Sequence, residues 1–112
     1  MSVLFKPVEI EQLAVTPGGT IYTCPSNTTA QVLQGNCTNE SSSAASFTIH
    51  VIKSGGSLAD TNIYTDAQNI PPNDFDLVTG LVGMILEGGD FIVAFGSAGS
   101  SMNLKLSIKE IA

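Results

Sequence analysis

The residues best suited to chemistry are two carboxylate pairs and one histidine. Asp74 and Asp76 stand two apart, and Glu87 and Asp90 flank Gly88-Gly89. On a strand the first two share a face, and paired carboxylates can move protons or hold a hard cation such as calcium. No dedicated cation loop surrounds either pair, so solvated turn acids are the expectation, with Gly88-Gly89 closing a hairpin. His50 is the single histidine, and it lies on the face opposite Phe47, Ile49 and Val51 of an alternating run. A catalytic histidine needs a nucleophile and an orienting acid. No serine sits in a nucleophile elbow, so His50 reads as an ordinary strand residue. The pairs Gly18-Gly19, Gly55-Gly56 and Gly88-Gly89 lack the following Lys-Ser/Thr of a phosphate cradle and read as turn glycines. The chain is therefore expected to be no enzyme, with no cofactor and no metal.

Cys24 and Cys37 could pair, but the first residues carry no basic region before a continuous apolar stretch, and Pro7, Glu9 and Glu11 break up the N-terminal segment. Without an export signal, two buried or half-buried thiols are expected. A zinc site would need more ligands than His50 supplies. The sequons at Asn27, Asn36 and Asn39 follow from a composition rich in Thr, Ser and Asn. No apolar stretch approaches the roughly 20 residues that span a bilayer, so a soluble protein folded in a cytoplasm is expected.

Charge narrows the partners. The 112 residues hold 4 lysines, no arginine and 10 acidic residues, a net charge of −6. Nucleic acid and anionic membranes are met by clustered Lys and Arg, so neither is expected as a partner. Neutral Thr, Ser and Asn supply most of the outward polarity, and neutral groups cost less to desolvate than ions. That surface suits a protein partner.

Period two dominates the chain. Leu104, Leu106 and Ile108 alternate with Lys105, Ser107 and Lys109, a strand pattern that a helix would scatter. Ser46–Lys53 alternates likewise. Phe91–Phe95 is apolar throughout, as in a central strand covered on both faces. Further strands are expected at Val8–Val15, Thr20–Thr23, Ala30–Asn36, Asn62–Tyr64, Phe75–Val78 and from Asp90. Clusters such as Pro17-Gly18-Gly19, Pro25-Ser26-Asn27, Pro71-Pro72-Asn73 and Gly96–Ser101 separate them. The fold class is all-β, a single antiparallel β-sandwich, jelly-roll-like or Ig-like, of about eight strands. Residues 13–112 form the sandwich, and 1–12 form an N-terminal arm or an added strand. Folded area should be roughly 5,800 Å². With four lysines to guard its edge strands, the chain has few charges to deter edge pairing, and neighbouring copies are expected to cover the edges.

Thr20-Ile-Tyr-Thr-Cys-Pro-Ser-Asn-Thr-Thr-Ala30 resembles the opening of a family of small β-sandwich virion proteins of tailed bacteriophages. Gln31–Thr38 with Asn36, Phe47–Gly56, Ile70-Pro-Pro-Asn-Asp74, Leu86-Glu-Gly-Gly-Asp-Phe-Ile92 and Leu104–Ile111 continue in that family's order. The resemblance covers about residues 13 to 112. It implies a non-enzymatic virion protein, assembled in the host bacterial cytoplasm, that decorates or cements the capsid. Its partners would be the major capsid protein or other virion proteins, and by analogy it would be a homo-oligomer, a trimer favoured. A neck, tail or fibre-attachment adaptor is the alternative. A carbohydrate- or cation-binding module of a host-recognition device is a second, though Tyr22, Tyr64 and the absence of Trp leave few platforms for sugar rings. Contact residues are expected at Val3, Leu4, Phe5 and Lys6, and in the Cys37–Ala45 and Gly96–Ser101 loops at Asn39, Ser41, Ser42, Ser43, Ser97 and Ser100.

Overall fold

Alternating apolar residues need a second layer to cover them, and two sheets provide it. A computed structural model describes residues 2–10, 13–14, 19–97 and 102–112. These hold nine strands: β1 (Val3–Ile10), β2 (Thr20–Thr23), β3 (Thr29–Asn39), β4 (Ala45–Ile52), β5 (Ile63–Ile70), β6 (Asp74–Leu77), β7 (Ile85–Glu87), β8 (Phe91–Gly96) and β9 (Met102–Ile111). One 3-10 turn, Asp60–Asn62, precedes β5. One sheet runs β1-β9-β3-β6, with β7 also on β3, and the other runs β2-β8-β4-β5. The expected β-sandwich is what forms. With β7 set aside, its strand order is that of an eight-strand jelly roll, in which the first strand pairs with the last and the second with the next to last. An Ig-type order is not found. Exposed area is 5913 Å², close to the value expected from chain length.

Every second residue of β9 points inward, and Leu104, Leu106 and Ile108 meet Phe47, Ile49, Ile92 and Ala94 of the opposite sheet in one core. β8 lies between β2 and β4 with Ile92 and Ala94 inside. On its outer face Val93 is buried but Phe91 and Phe95 are half-buried, so the expected cover on both faces is only partial.

The first strand begins earlier than Val8–Val15. It spans Val3–Ile10 and pairs with β9 along its full length, from Val3↔Ile111 to Ile10↔Leu104. Val15 lies outside the described residues. Beyond β1, Leu13 is buried and its N–H donates to the Met102 carbonyl of β9 at 2.8 Å, while the Ala14 carbonyl accepts the Gly96 N–H of β8 at 2.9 Å. Val3–Ile10 are thus the first strand of the jelly roll itself, so the sandwich begins before residue 13.

The edges are guarded by means other than charge. Ser2 and Ala112 exchange both backbone hydrogen bonds at 3.0 Å. By antiparallel alternation, Leu4, Lys6, Val8 and Ile10 bond to β9, and Val3, Phe5, Pro7 and Glu9 turn their backbone to the open edge. Pro7 therefore removes a donor from the free edge at no cost to the ladder. β2 and β6 have four residues each, and β2 carries a bulge. β5 shifts register twice against β4. At one shift Ala67 takes a φ of 48°, held by its N–H donating to Thr48 Oγ1 at 3.0 Å. With few lysines available, proline, bulges and brevity are what limit pairing at these edges.

Gly88-Gly89 does not close a hairpin within one sheet. It turns the chain from β7 in one sheet to β8 in the other. Gly89 has φ 91°, a conformation an L side chain rarely adopts, and a Cβ there would strike Ser54.

Candidate interaction surface

Sheet register lays the outer face of the five-stranded sheet out in rows across the strands. Val3, Ile111, Thr29 and Glu87 form one row, and Phe5, Lys109, Gln31 and Ile85 the next. Pro7, Ser107 and Gln34 make the third row, Glu9, Lys105, Asn36 and Leu77 the fourth, and Asn103, Thr38 and Phe75 the last. A solvent-facing sheet surface should be polar at these positions. Instead Val3, Phe5, Leu33, Phe75, Leu77 and Ile85 are exposed here, Phe5 at 68% and Phe75 at 56%. Six of the ten large exposed hydrophobic residues among the described residues thus lie on this one face.

β6 explains part of this. Its pattern Asp-Phe-Asp-Leu would ordinarily turn Phe75 and Leu77 inward. Pairing with β3 does the reverse, because Asp74 and Asp76 sit opposite the inward Asn39 and Cys37. At the centre, small Ser107 leaves a depression of about 200 Å³ bordered by Phe5, Pro7 and Leu33. The bulge between Val32 and Gln34 brings Leu33 to its rim.

Charges on the face cancel. Lys105 and Lys109 of β9 are matched by Glu9 on β1 and Glu87 on β7, and Glu9 stands directly opposite Lys105. The remaining two lysines are engaged elsewhere: Lys6 lies 3.8 Å from Glu110 and Lys53 lies 3.2 Å from Asp90. The net charge of −6 therefore belongs to the rest of the molecule. Glu40 stands at one end of the face and accepts a hydrogen bond from Asn103 Nδ2 at 3.3 Å.

The candidate chemical groups are occupied structurally. Asp90 is buried, not solvated as expected. Its carboxylate accepts N–H bonds from Glu87 at 2.9 Å and Ser54 at 3.0 Å, besides the Lys53 ammonium. Burial alone would raise its pKa, but these donors outweigh it and hold the carboxyl below its ordinary value. Glu87, three residues before it, faces outward, so the two carboxylates do not form a pair. Asp74 and Asp76 do share a face, as expected.

His50 is buried beneath the connection from β4 to β5 and stacks on Phe95 at 6.0 Å between ring centres. Its Nδ1 lies 2.7 Å from Asn62 Oδ1. That oxygen also accepts the Ala59 N–H at 3.2 Å, which fixes it as an acceptor and places the proton on His50 Nδ1. Asn62 Nδ2 donates to the Ser57 carbonyl at 2.9 Å. The histidine thus anchors a loop. Asp60 and Asp66 border the same groove of about 310 Å³, but no group of three His, Cys, Asp or Glu among the described residues could hold a metal ion. Cys24 and Cys37 are free and buried, as expected. Cys37 has its pKa pushed up to about 12, by burial first and then by Asp76.

The expected contact residues divide. Val3 and Phe5 lie on the outer face, while Leu4 and Lys6 turn to the other side of β1 near Glu110. Asn39 is a correction: at 1% exposure it cannot touch a partner. Its side-chain amide instead donates to the carbonyls of Ser43 and Ile70 at 2.9 and 3.2 Å, and its Oδ1 accepts the Ser41 N–H at 3.0 Å. It ties the 40–44 turn to the end of β5. Ser42 and Ser43 are exposed, and Ser41 is half-buried. Ser97 is exposed and its Oγ accepts the Ser46 N–H at 2.9 Å. Ser100 lies outside the described residues.

Sequence reasoning missed Leu33, Phe75, Leu77 and Ile85. Alternation in β6 marked a strand, but only pairing reveals which parity faces out. No family model matches the chain, and neither a curated protein nor a solved structure matches it significantly.

Proposed function

We propose that this chain is a non-enzymatic structural subunit of a bacteriophage virion, decorating and cementing the head as one member of a packed multi-copy assembly. The observation that carries the reading is the outer face of β1-β9-β3-β6, where exposed Val3, Phe5, Leu33, Phe75, Leu77 and Ile85 stand where a solvated sheet would be polar. Five of these line the two flanks of the face, on β1 and on β6 and β7, beside the mainly polar outer residues of β9 and β3, and exposed apolar residues concentrated on one face point to protein–protein contact. The ordered resemblance across residues 13–112 supplies the virion context, and the jelly roll agrees with it, since viral capsid proteins and lectins both use that fold. Fold alone does not choose between them.

Its action is adhesive. Copies that bind only the assembled lattice stabilise it by mass action. The polar turn with Ser41, Ser42 and Ser43, together with Ser97, offers neutral contacts toward the lattice.

Quantitative mass spectrometry of purified virions, with imaging of labelled protein, tests the reading. Dense coverage of the head is expected, and attachment should depend only weakly on ionic strength. A few copies at one vertex would favour the neck or tail adaptor. Absence from the particle, or ready release by moderate salt, would overturn the cementing role.

A further inference from the structure

We infer that the occupant of the outer face of the five-stranded sheet is a second copy of this chain, bound face to face about a two-fold axis. The inference rests on the reading of this face as a docking surface and adds the identity of what covers it.

Electrostatics selects the partner. Two copies each carrying −6 repel through most of their surface. This face is where they can approach without that repulsion, because Lys105 and Lys109 cancel Glu9 and Glu87. The lysines lie on the inner strand β9, and the glutamates on the flanking strands β1 and β7. A two-fold contact sets a patch against its own copy, and a patch whose charges cancel can meet itself without net repulsion, as an isologous contact requires.

Shape and size agree. Strands of 10 and 11 residues, β9 and β3, at about 3.4 Å per residue give a face about 35 Å long. Four strands at about 4.8 Å spacing, with their side chains, make it about 20 Å wide. The resulting area of about 700 Å² is near the ~800 Å² that each partner contributes to a stable interface. The depression of about 200 Å³ beside Ser107 has room for a large apolar side chain from the facing copy, and Phe75, Leu77 and Ile85 project from the same surface. Edge-to-edge addition is the competing geometry, and Pro7, the bulged β5 and the short β2 and β6 oppose it. A face that meets its own copy closes as a dimer, or as an even assembly of dimers, rather than as an isolated trimer.

Analytical ultracentrifugation of the purified full chain across a dilution series tests this. The wild type should sediment as a dimer of 11.6 kDa chains, with weak salt dependence. Phe5→Asp or Leu77→Asp should raise the dissociation constant about 30-fold or more. Tyr64→Asp, an exposed site on the other sheet, should not. Because positions 5 and 77 are exposed, circular dichroism should show unchanged folding. The pair Lys105→Glu with Lys109→Glu should dissociate the dimer at low salt and let it re-form at high salt.

A monomeric wild type at all concentrations, or a dimer indifferent to all four face substitutions, would overturn the inference. The docking reading is separable. A monomer whose binding to purified virions is lost in Phe5→Asp and Leu77→Asp keeps the docking face and refutes the self-contact. Face variants that change neither assembly nor virion binding refute both.

Discussion

Tyr22 on β2 donates a hydrogen bond of 2.5 Å from its hydroxyl to Glu110 Oε2 on β9, joining the two sheets through a carboxylate that is 6% exposed. Lys6 on β1 stands 3.8 Å from the same oxygen. Three strands thus converge on one buried charge, which is tolerated because it is both paired and hydrogen-bonded.

Tyr22→Phe removes the hydroxyl and leaves Glu110 buried with Lys6 alone, so thermal unfolding should show a loss of about 1–3 kcal/mol. Burial first, and then the bond to Glu110, raise the Tyr22 pKa above its ordinary 10.0. A group whose pKa is raised on folding stabilises fully below its unfolded value and loses that contribution as pH climbs. The stability gap between wild type and Tyr22→Phe should therefore be full at neutral pH and shrink above pH 10. A gap that stays constant into alkaline solution would contradict the arrangement.

Asp90 makes the opposite prediction. Its lowered pKa, against an ordinary value of 3.8, means that the ionised carboxylate stabilises the fold above that value and loses its effect as pH falls through the depressed one. Asp90→Asn should unfold more easily at pH 7, by about 2 kcal/mol, the order of a hydrogen-bonded charged group. Denaturant titrations should show the difference narrowing as pH falls below 4. An undiminished difference in acid would mean that shape rather than charge accounts for the loss.

The alternating strands were legible because alternation reports directly on a half-buried sheet. Leu104, Leu106 and Ile108 lie inside, as their spacing implies, whereas the all-apolar Phe91–Phe95 is covered on its outer face only at Val93, with Phe91 and Phe95 half-buried. What period two cannot convey is which parity faces in. Asp74 and Asp76 share a face, as their spacing implies, but that face is the inward one, because β3 presents Asn39 and Cys37 opposite them. β7, with three residues, is too short to show a period, so alternation gives no sign of the ninth strand. Val8 and Ile10 have the same parity whether β1 starts at Val3 or at Val8, so parity cannot place its beginning. Its extension back to Val3 depends on β9 continuing to Ile111 as a pairing partner, a relationship across the whole chain. Asn39 reads as part of a polar loop, since its residue type gives no sign that a turn and a strand end are organised around its amide.

Thiol chemistry offers a simple check on the core. Cys24 and Cys37 are free and buried, and burial raises both pKa values, Cys37 to about 12. Thiolate is the reactive form, so the native protein should not react with a thiol-directed disulfide reagent at pH 8. After denaturation without reductant both thiols should titrate. Zero thiols in the denatured protein would show a disulfide, and rapid reaction of the native protein would place a cysteine at the surface.

Pro7 gives the test of how the edge is protected. The backbone of Val3, Phe5, Pro7 and Glu9 faces the open side of β1, so Pro7→Thr restores a donor there without disturbing the ladder to β9. Thr also favours strands and adds no apolar surface. Thermal stability should change by no more than about 0.5 kcal/mol, as for an ordinary exposed substitution. Association should change instead: light scattering should detect species larger than the wild-type assembly, growing with concentration, as one β1 edge pairs with another. Combining Pro7→Thr with Leu77→Asp, on β6 and away from this edge, separates the two modes, because loss of the apolar face should leave edge pairing intact. If Pro7→Thr behaves as the wild type at every concentration, proline is not what keeps this edge closed.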